Sequence, residues 1–225
     1  MFYVTDRAPH EASTRRTLYG FERSASMAFG TVSVPAATGP RRQAATAREL
    51  TRFPRTPLPF SQQGGRIIPD RQSQRAYEVQ SDAFKTRVAA ALRAAGTREV
   101  VLFVHGFNNS FAEGAASLAT VWQAGGRTGV PMMFSWPAGH PGLFGYFMDR
   151  ESGEFAIFHF KETLRLLAQV PGLRAIHVVA HSRGADVATT GLRERVIAAR
   201  AAGRIPREVL KVDNLILAAP DMDFQ

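Results

Sequence analysis

Cysteine and long apolar runs are both absent from this 225-residue chain. Without cysteine it can form no disulfide bond, thiol nucleophile or thiolate metal site. Without a run of roughly 18 apolar residues it offers no candidate for a membrane-spanning helix. The opening residues MFYVTDRAPHE also lack the basic and then apolar pattern of a secretory signal. We expect a cytoplasmic protein by default, and an exported one only if the true start lies upstream.

Acidic residues are scarce in the first part of the chain only. The net charge of +9 and the pI near 10.9 suggest a nucleic-acid partner. However, residues 1–98 hold 16 Lys and Arg against 7 Asp and Glu, whereas residues 99–225 hold 12 of each. Because few aromatic side chains alternate with these arginines, binding of nucleic acid or an anionic surface ranks last among the hypotheses, and we expect no nucleic-acid partner.

Residues 1–80 are interpreted as an N-terminal extension. Residues 2–4 and 27–34 are typical of short strands. Residues 36–70 are rich in Pro, Gly, Thr and Arg, which predicts a long irregular segment rather than packed elements. The eight arginines between positions 41 and 75 accompany only two acidic residues, which favours a solvated loop over a binding patch.

The pattern changes at residue 81, where an α/β core is predicted to begin. Four short apolar runs are typical of strands buried on both faces: residues 100–104, 130–136, 175–180 and 215–219. Helical patterns begin at Ser81 or Asp82, at the capping box of Ser110 and Glu113, and at residues 154–168 and 184–202. This strict alternation predicts a mostly parallel sheet with helices on both faces over residues 81–225.

Ser182 is the candidate nucleophile. It lies between a predicted strand and a predicted helix, with the small residues Ala180 and Gly184 two positions away on either side. Small neighbours at this spacing are typical of the nucleophile elbow, a turn too tight for bulky side chains. Ala180 stands where the strict pattern has glycine. The alternative is that Ser182 only caps the following helix.

Two backbone N–H groups are candidates for an oxyanion hole. One belongs to Arg183, at the start of the helix after Ser182. The other belongs to Phe107, because Gly106 before it allows close approach of the backbone, and Asn108 follows nearby. Three further residues are candidates for the lining of a pocket: His105, Trp136 and His181. We interpret His105 as a packed structural histidine and expect the side chain of His181 to point away from Ser182, so neither is favoured as the base.

These motifs resemble the alpha/beta-hydrolase superfamily, and more narrowly a bacterial esterase/lipase-like branch of unknown function. The resemblance is carried by HGFN at 105–108, SWP at 135–137, Y-x-x-D-R-E at 146–151 and AHSxG at 180–184. The segments FYVTDR and FGTVSVP resemble the N-terminal extension of that branch. The resemblance implies a serine hydrolase that acts on a small carboxylic ester and uses no metal or organic cofactor.

The resemblance also implies roles for particular residues. Ser182 attacks the ester carbonyl, the N–H groups of Phe107 and Arg183 hold the oxyanion, and a carboxylate orients a histidine base. Asp221, directly after the fourth predicted strand, is the candidate for that carboxylate, and Asp223 is the fallback.

The histidine is where the sequence departs from the superfamily. The chain order there is serine, acid, histidine, yet none of the six histidines follows Asp221. His140 is not favoured as a substitute base. We therefore expect a truncated core whose last strands and catalytic histidine lie outside this chain, and a fragment that is inactive alone. The alternative is an inactive hydrolase-fold domain that binds or scaffolds.

Overall fold

A computed structural model of the protein describes residues 1–10, 19–35, 45–140 and 144–221. Within these ranges the strands are β1 (Phe2–Pro9), β2 (Tyr19–Ser33), β3 (Thr46–Arg52), β4 (Phe60–Gln63), β5 (Arg66–Pro69), β6 (Glu99–Val104), β7 (Val130–Ser135), β8 (Ala175–His181) and β9 (Val212–Ala218). The helices are α1 (Arg71–Ala94), α2 (Phe111–Ala124), α3 (Gly145–Ala168), α4 (Gly184–Ala201) and α5 (Pro206–Leu210).

Seven of the strands form one sheet in the order β3-β2-β1-β7-β6-β8-β9. Neighbouring strands from β1 to β9 in this order are parallel, and β2 and β3 add antiparallel strands beyond β1. β4 and β5 form a separate hairpin. The predicted fold class, an α/β protein with a mostly parallel sheet, is confirmed.

Helices cover both faces of the sheet. Leu102 and Val104 of β6 face one core, where they meet α1, α3 and α4. Phe103, between them, faces a second core that is closed by α2 through Phe111 and Leu118. A strand that is covered by helices on both faces needs apolar side chains on both faces, which is why β6 and β7 are continuous apolar runs. No helix in the described ranges is long and apolar enough to cross a membrane.

The prediction of an irregular segment over 36–70 is wrong for its described part. β3 pairs with β2 along the outer edge of the sheet, and the β4–β5 hairpin follows. β3 is half exposed and carries the charged residues Arg48, Glu49 and Arg52. Because this composition is also typical of a loop, the sequence did not predict a strand here. Residues 36–44 lie outside the described residues. The division of the chain at residue 80 stays a prediction, and β1 to β3 lie in the same sheet as the later strands.

Two helices begin earlier than their apolar spacing predicted. α1 starts at Arg71 rather than near residue 81, and the side chain of Asp70 caps it by accepting the Ser73 N–H at 2.7 Å. α3 starts at Gly145 rather than at residue 154. The buried face of its first turns consists of Asp149 and of small residues, so no apolar period marks it. That early part of α3 lies beside the candidate site.

Candidate active site

Ser182 lies in the turn between β8 and α4. Its φ angle is 49°, in the left-handed region that costs a residue with a side chain about 1 kcal/mol. The backbone on both sides holds it there: the Ser182 N–H donates to the Ala218 carbonyl at 3.0 Å, and the Ala185 N–H donates to the Ser182 carbonyl at 2.9 Å. A strained backbone fixed in this way is typical of functional turns.

Two glycines allow the Ser182 turn to pack closely against the loop after β6. A Cβ atom on Gly184 would collide with the carbonyl oxygen of His105, and one on Gly106 would lie 2.8 Å from the Ser182 Cβ, well inside van der Waals contact. The loop after β6 therefore packs directly against the serine. Ala180, which replaces the usual first glycine, is wholly buried in the apolar core, where its methyl group is accommodated.

The two candidate oxyanion donors, the N–H groups of Phe107 and Arg183, lie in the segments next to Ser182. Arg183 follows the serine at the start of α4, and Phe107 follows Gly106 in the loop that packs against Ser182. Within the described ranges, neither of their N–H groups donates a backbone or side-chain hydrogen bond. The Arg183 side chain is directed to Asp186, at 3.2 Å. Two unsatisfied N–H groups next to a serine can donate hydrogen bonds to an oxygen atom on which negative charge develops.

Asn108 and His181 flank these donors. Asn108 is exposed with φ 51°, and its N–H donates to the Asp149 carboxylate at 3.2 Å, so that group is already engaged. His181 is exposed, and its Nδ1 would lie 3.0 Å from a Cβ on Gly106. No hydrogen bond joins a described histidine to the Ser182 hydroxyl. The base for the serine is therefore not identified in the described residues.

His105 and Trp136 lie beneath the serine, and both are wholly buried. Their rings stack with centroids 5.4 Å apart, and the Trp136 indole N–H donates to the His105 carbonyl at 2.7 Å. Burial, together with the charge of Arg7, lowers the pKa of His105 to about 3. The neutral ring donates from Nδ1 to the Gly106 carbonyl at 2.9 Å and accepts at Nε2, so it supports the loop from below.

Asp221 lies at the same edge of the sheet as Ser182. It is exposed and follows β9, whose last residue, Ala218, accepts the Ser182 N–H. Its role as the acid that orients a histidine stays a prediction, because no histidine contacts it in the part of the chain that is described. Asp223, the fallback acid, lies outside the described residues.

Sequence reasoning did not assign Asp149, which holds two loops of the site together. It is fully buried. Its Oδ1 accepts from His140 Nδ1 at 2.6 Å and from the His140 N–H at 3.1 Å, and its Oδ2 accepts the N–H groups of Gly139 and Asn108. Asp149 belongs to the Y-x-x-D-R-E motif, and this motif is the sequence feature that could have indicated its role. His140 serves this clamp, and no hydrogen bond joins it to Ser182.

Arg7 is the second functional candidate that sequence reasoning passed over. It lies in the FYVTDR segment, where a charged side chain follows the apolar start of β1. It is fully buried beside His105 and the loop after β6.

No cluster of three or more His, Asp or Glu side chains suited to a metal ion occurs in the described ranges.

A parallel sheet with helices on both faces, and a serine in the strained turn between a strand and a helix, define the class of the alpha/beta hydrolases. The model of the family described as alpha/beta hydrolase of unknown function (DUF900) matches residues 80–225, and the chain belongs to this family. Searches of the curated proteins and of the solved structures found no match to the chain.

Proposed function

We propose that this protein is a serine hydrolase that cleaves small carboxylic esters, with Ser182 as its nucleophile. The observation that carries the proposal is the pair of backbone N–H groups, of Phe107 and Arg183, that lie beside this serine and have no acceptor among the described residues. A free N–H at the start of a helix is usual, so the serine itself separates the two readings. No side-chain hydrogen bond caps α4, which favours a nucleophile beside an oxyanion hole over a helix cap.

The chemistry follows the serine-hydrolase scheme. Ser182 Oγ attacks the ester carbonyl carbon as its proton passes to a histidine base, and the carbonyl electrons move onto the oxygen. The Phe107 and Arg183 N–H groups donate to that oxyanion, a contribution of about 100- to 1,000-fold in rate for each donor. The tetrahedral intermediate collapses and the alcohol leaves with the proton. Water then hydrolyses the acyl-enzyme by the same steps.

The scheme also requires an acid and a histidine base. Asp221 is proposed as the acid because it follows the strand end that is bonded to the Ser182 backbone. The histidine base is not identified among the described residues that contact Ser182. That same observation favours one competing function, a hydrolase-fold domain that binds a ligand without cleaving it.

A fluorophosphonate probe distinguishes the two functions. Attack of the Ser182 hydroxyl on phosphorus expels fluoride and leaves a stable label. The full-length protein is expected to label, Ser182→Ala is expected not to label, and Ser117→Ala on α2 serves as a matched control that labels at the parental rate. If the folded full-length protein stays unlabelled, or if Ser182→Ala labels as well as the parent, the hydrolase proposal is wrong and the binding domain is favoured.

A further inference from the structure

Arg7 is a fully buried arginine without an ion pair. It is 0% exposed, and no carboxylate lies within salt-bridge distance of it in the described ranges. Burial lowers the pKa of Arg7 to about 10, which leaves the guanidinium charged at neutral pH. A buried charge is costly unless it is fully hydrogen-bonded, and an apolar residue would fill the same space at lower cost. Packing of the core therefore does not explain why an arginine occupies position 7.

Neutral oxygen and nitrogen atoms from several segments surround the guanidinium. Nε donates to Ser135 Oγ at 2.9 Å, Nη1 donates to the carbonyls of Gly20 and Ala138 at 2.9 Å each, and Nη2 donates to the Asn109 carbonyl at 2.6 Å and lies 3.4 Å from His105 Nε2. The planar fork of arginine can reach all of these acceptors at once, which no other side chain does. Arg7 therefore joins β2, the end of β7 and the loops after β6 and β7.

The contacts to the loop after β6 bracket Phe107. His105 is two residues before it and Asn109 two residues after it, and both contact the same guanidinium nitrogen. Asp149 holds the next residue, because its carboxylate accepts the Asn108 N–H. The neighbouring groups thus bind Arg7 or Asp149, whereas the Phe107 N–H has no acceptor in the part of the chain that the structure describes.

We propose that Arg7 is a positioning residue of the oxyanion hole: it fixes residues 105–109 so that the Phe107 N–H stays free to bind the oxyanion formed at Ser182. The inference rests on the proposed function. Arg7 does not touch the substrate and acts only through the loop. Its effect is therefore expected in the transition state, where the negative charge exists, and not in binding of the neutral ester.

The test compares Arg7→Met with a cross-strand control in the full-length protein. Methionine removes the charge and all the donors but keeps much of the volume. Arg23 pairs in register with Arg7 on β2 but contacts α3 instead of the oxyanion loop, so Arg23→Met is the matched control. Hydrolysis of p-nitrophenyl acetate gives kcat and KM, and a trifluoromethyl ketone gives an inhibition constant for an oxyanion analogue.

Arg7→Met is expected to lower kcat about 100-fold with little change in KM, and to weaken the trifluoromethyl ketone by a similar factor. Arg23→Met should keep both values. A purely structural role would reduce the active fraction, and hence kcat, but would leave the inhibition constant of the remaining active enzyme unchanged. Should Arg7→Met fail to fold, Arg7→Lys keeps the positive charge but lacks the planar guanidinium. It is expected to lower kcat about 10-fold and to weaken the trifluoromethyl ketone about 10-fold.

The outcomes separate this inference from the proposed function. Folded Arg7 variants that keep kcat and the inhibition constant within twofold of the parent overturn the inference alone. A rise in KM at constant kcat also overturns it, because Arg7 would then shape ground-state binding. A parent protein that neither hydrolyses the ester nor binds the ketone through Ser182 overturns the proposed function, and the inference with it.

Discussion

Acidification is predicted to destabilise the fold through His105. The imidazole is wholly buried, and its pKa is lowered to about 3, first by burial and then by the charge of Arg7. In the unfolded chain the same group titrates near 6.5. Between these two values the unfolded state binds a proton that the folded state does not. The stability contributed by neutral His105 is therefore complete above about pH 6.5 and is lost as the pH falls towards 3.

The size of this effect follows from the two pKa values. At pH 5 the proton on unfolded His105 costs the folded state about 2 kcal/mol relative to pH 7.5. That is a large share of the stability of about 5–15 kcal/mol that is usual for folded proteins. Carboxyl groups elsewhere also titrate in this range, so the informative quantity is the difference between the protein and His105→Gln, which cannot bind the proton.

Urea unfolding followed by tryptophan fluorescence at pH 7.5, 6 and 5 measures this difference. His105→Gln is expected to be the less stable protein at pH 7.5, because the stacking on Trp136 and the loop contacts are lost. The gap should shrink by about 2 kcal/mol at pH 5. His181→Gln is the control, because its exposed side chain is solvated in both states. A gap that stays constant from pH 7.5 to 5 would refute a buried neutral His105.

Three further outcomes are expected. Ser182→Gly should be more stable to urea than Ser182→Ala by about 1 kcal/mol, because glycine adopts φ 49° without strain. Gly106→Ala should fold yet lose about 100-fold in ester kcat, because its Cβ would lie 2.8 Å from the Ser182 Cβ and displace the oxyanion loop. Burial raises the pKa of Asp6, so stability is lost as the pH rises above about 4, and Asp6→Asn should flatten that part of the urea-unfolding profile.

The sequence was most informative where strands are buried on both faces. β6 and β7 were predicted to within about one residue, because continuous apolar runs bounded by turn residues leave few alternatives. β9 begins three residues before the predicted strand, because the polar Asp213 and Asn214 interrupt the apolar run. The expectation that this strand is buried on both faces is wrong: β9 lies at the edge of the sheet, where Leu215 and Ile216 are 40% and 52% exposed. An apolar run therefore located the strand but not its burial.

The same reasoning failed where buried side chains are polar. The first turns of α3 bury Asp149 and Ser152, and β1 buries Asp6 and Arg7, so neither segment shows the apolar pattern of a core element. These residues are stabilised by partners more than 100 positions away in several cases, such as the Arg7 contact with Ser135. No local pattern contains such partners, and only the folded chain reveals them.

For the site, the motifs identified the loops but not their connections. Ser182 and Gly106 could be chosen from the sequence because a tight turn and a close backbone approach require small residues at fixed positions. The N–H groups of Phe107 and Arg183 could be named as candidates, yet only the folded loops reveal that neither has an acceptor within the described ranges. The motifs could not predict that Asp149 accepts the Asn108 N–H, or that Arg7 donates to the Asn109 carbonyl.

Several buried polar groups lie beside the candidate site. Thr5 and Ser135 form the last pair of the parallel β1–β7 register, and the Thr5 hydroxyl donates to the Ser135 carbonyl at 2.6 Å. Arg7 and His105 extend this network to the loop that packs against Ser182. Apolar side chains would stabilise this part of the sheet at lower cost, so a connected polar network next to the loop favours a role in holding that loop. Neutral His105 belongs to that role: a proton on it would place a second positive charge beside Arg7 and remove the acceptor that Arg7 uses.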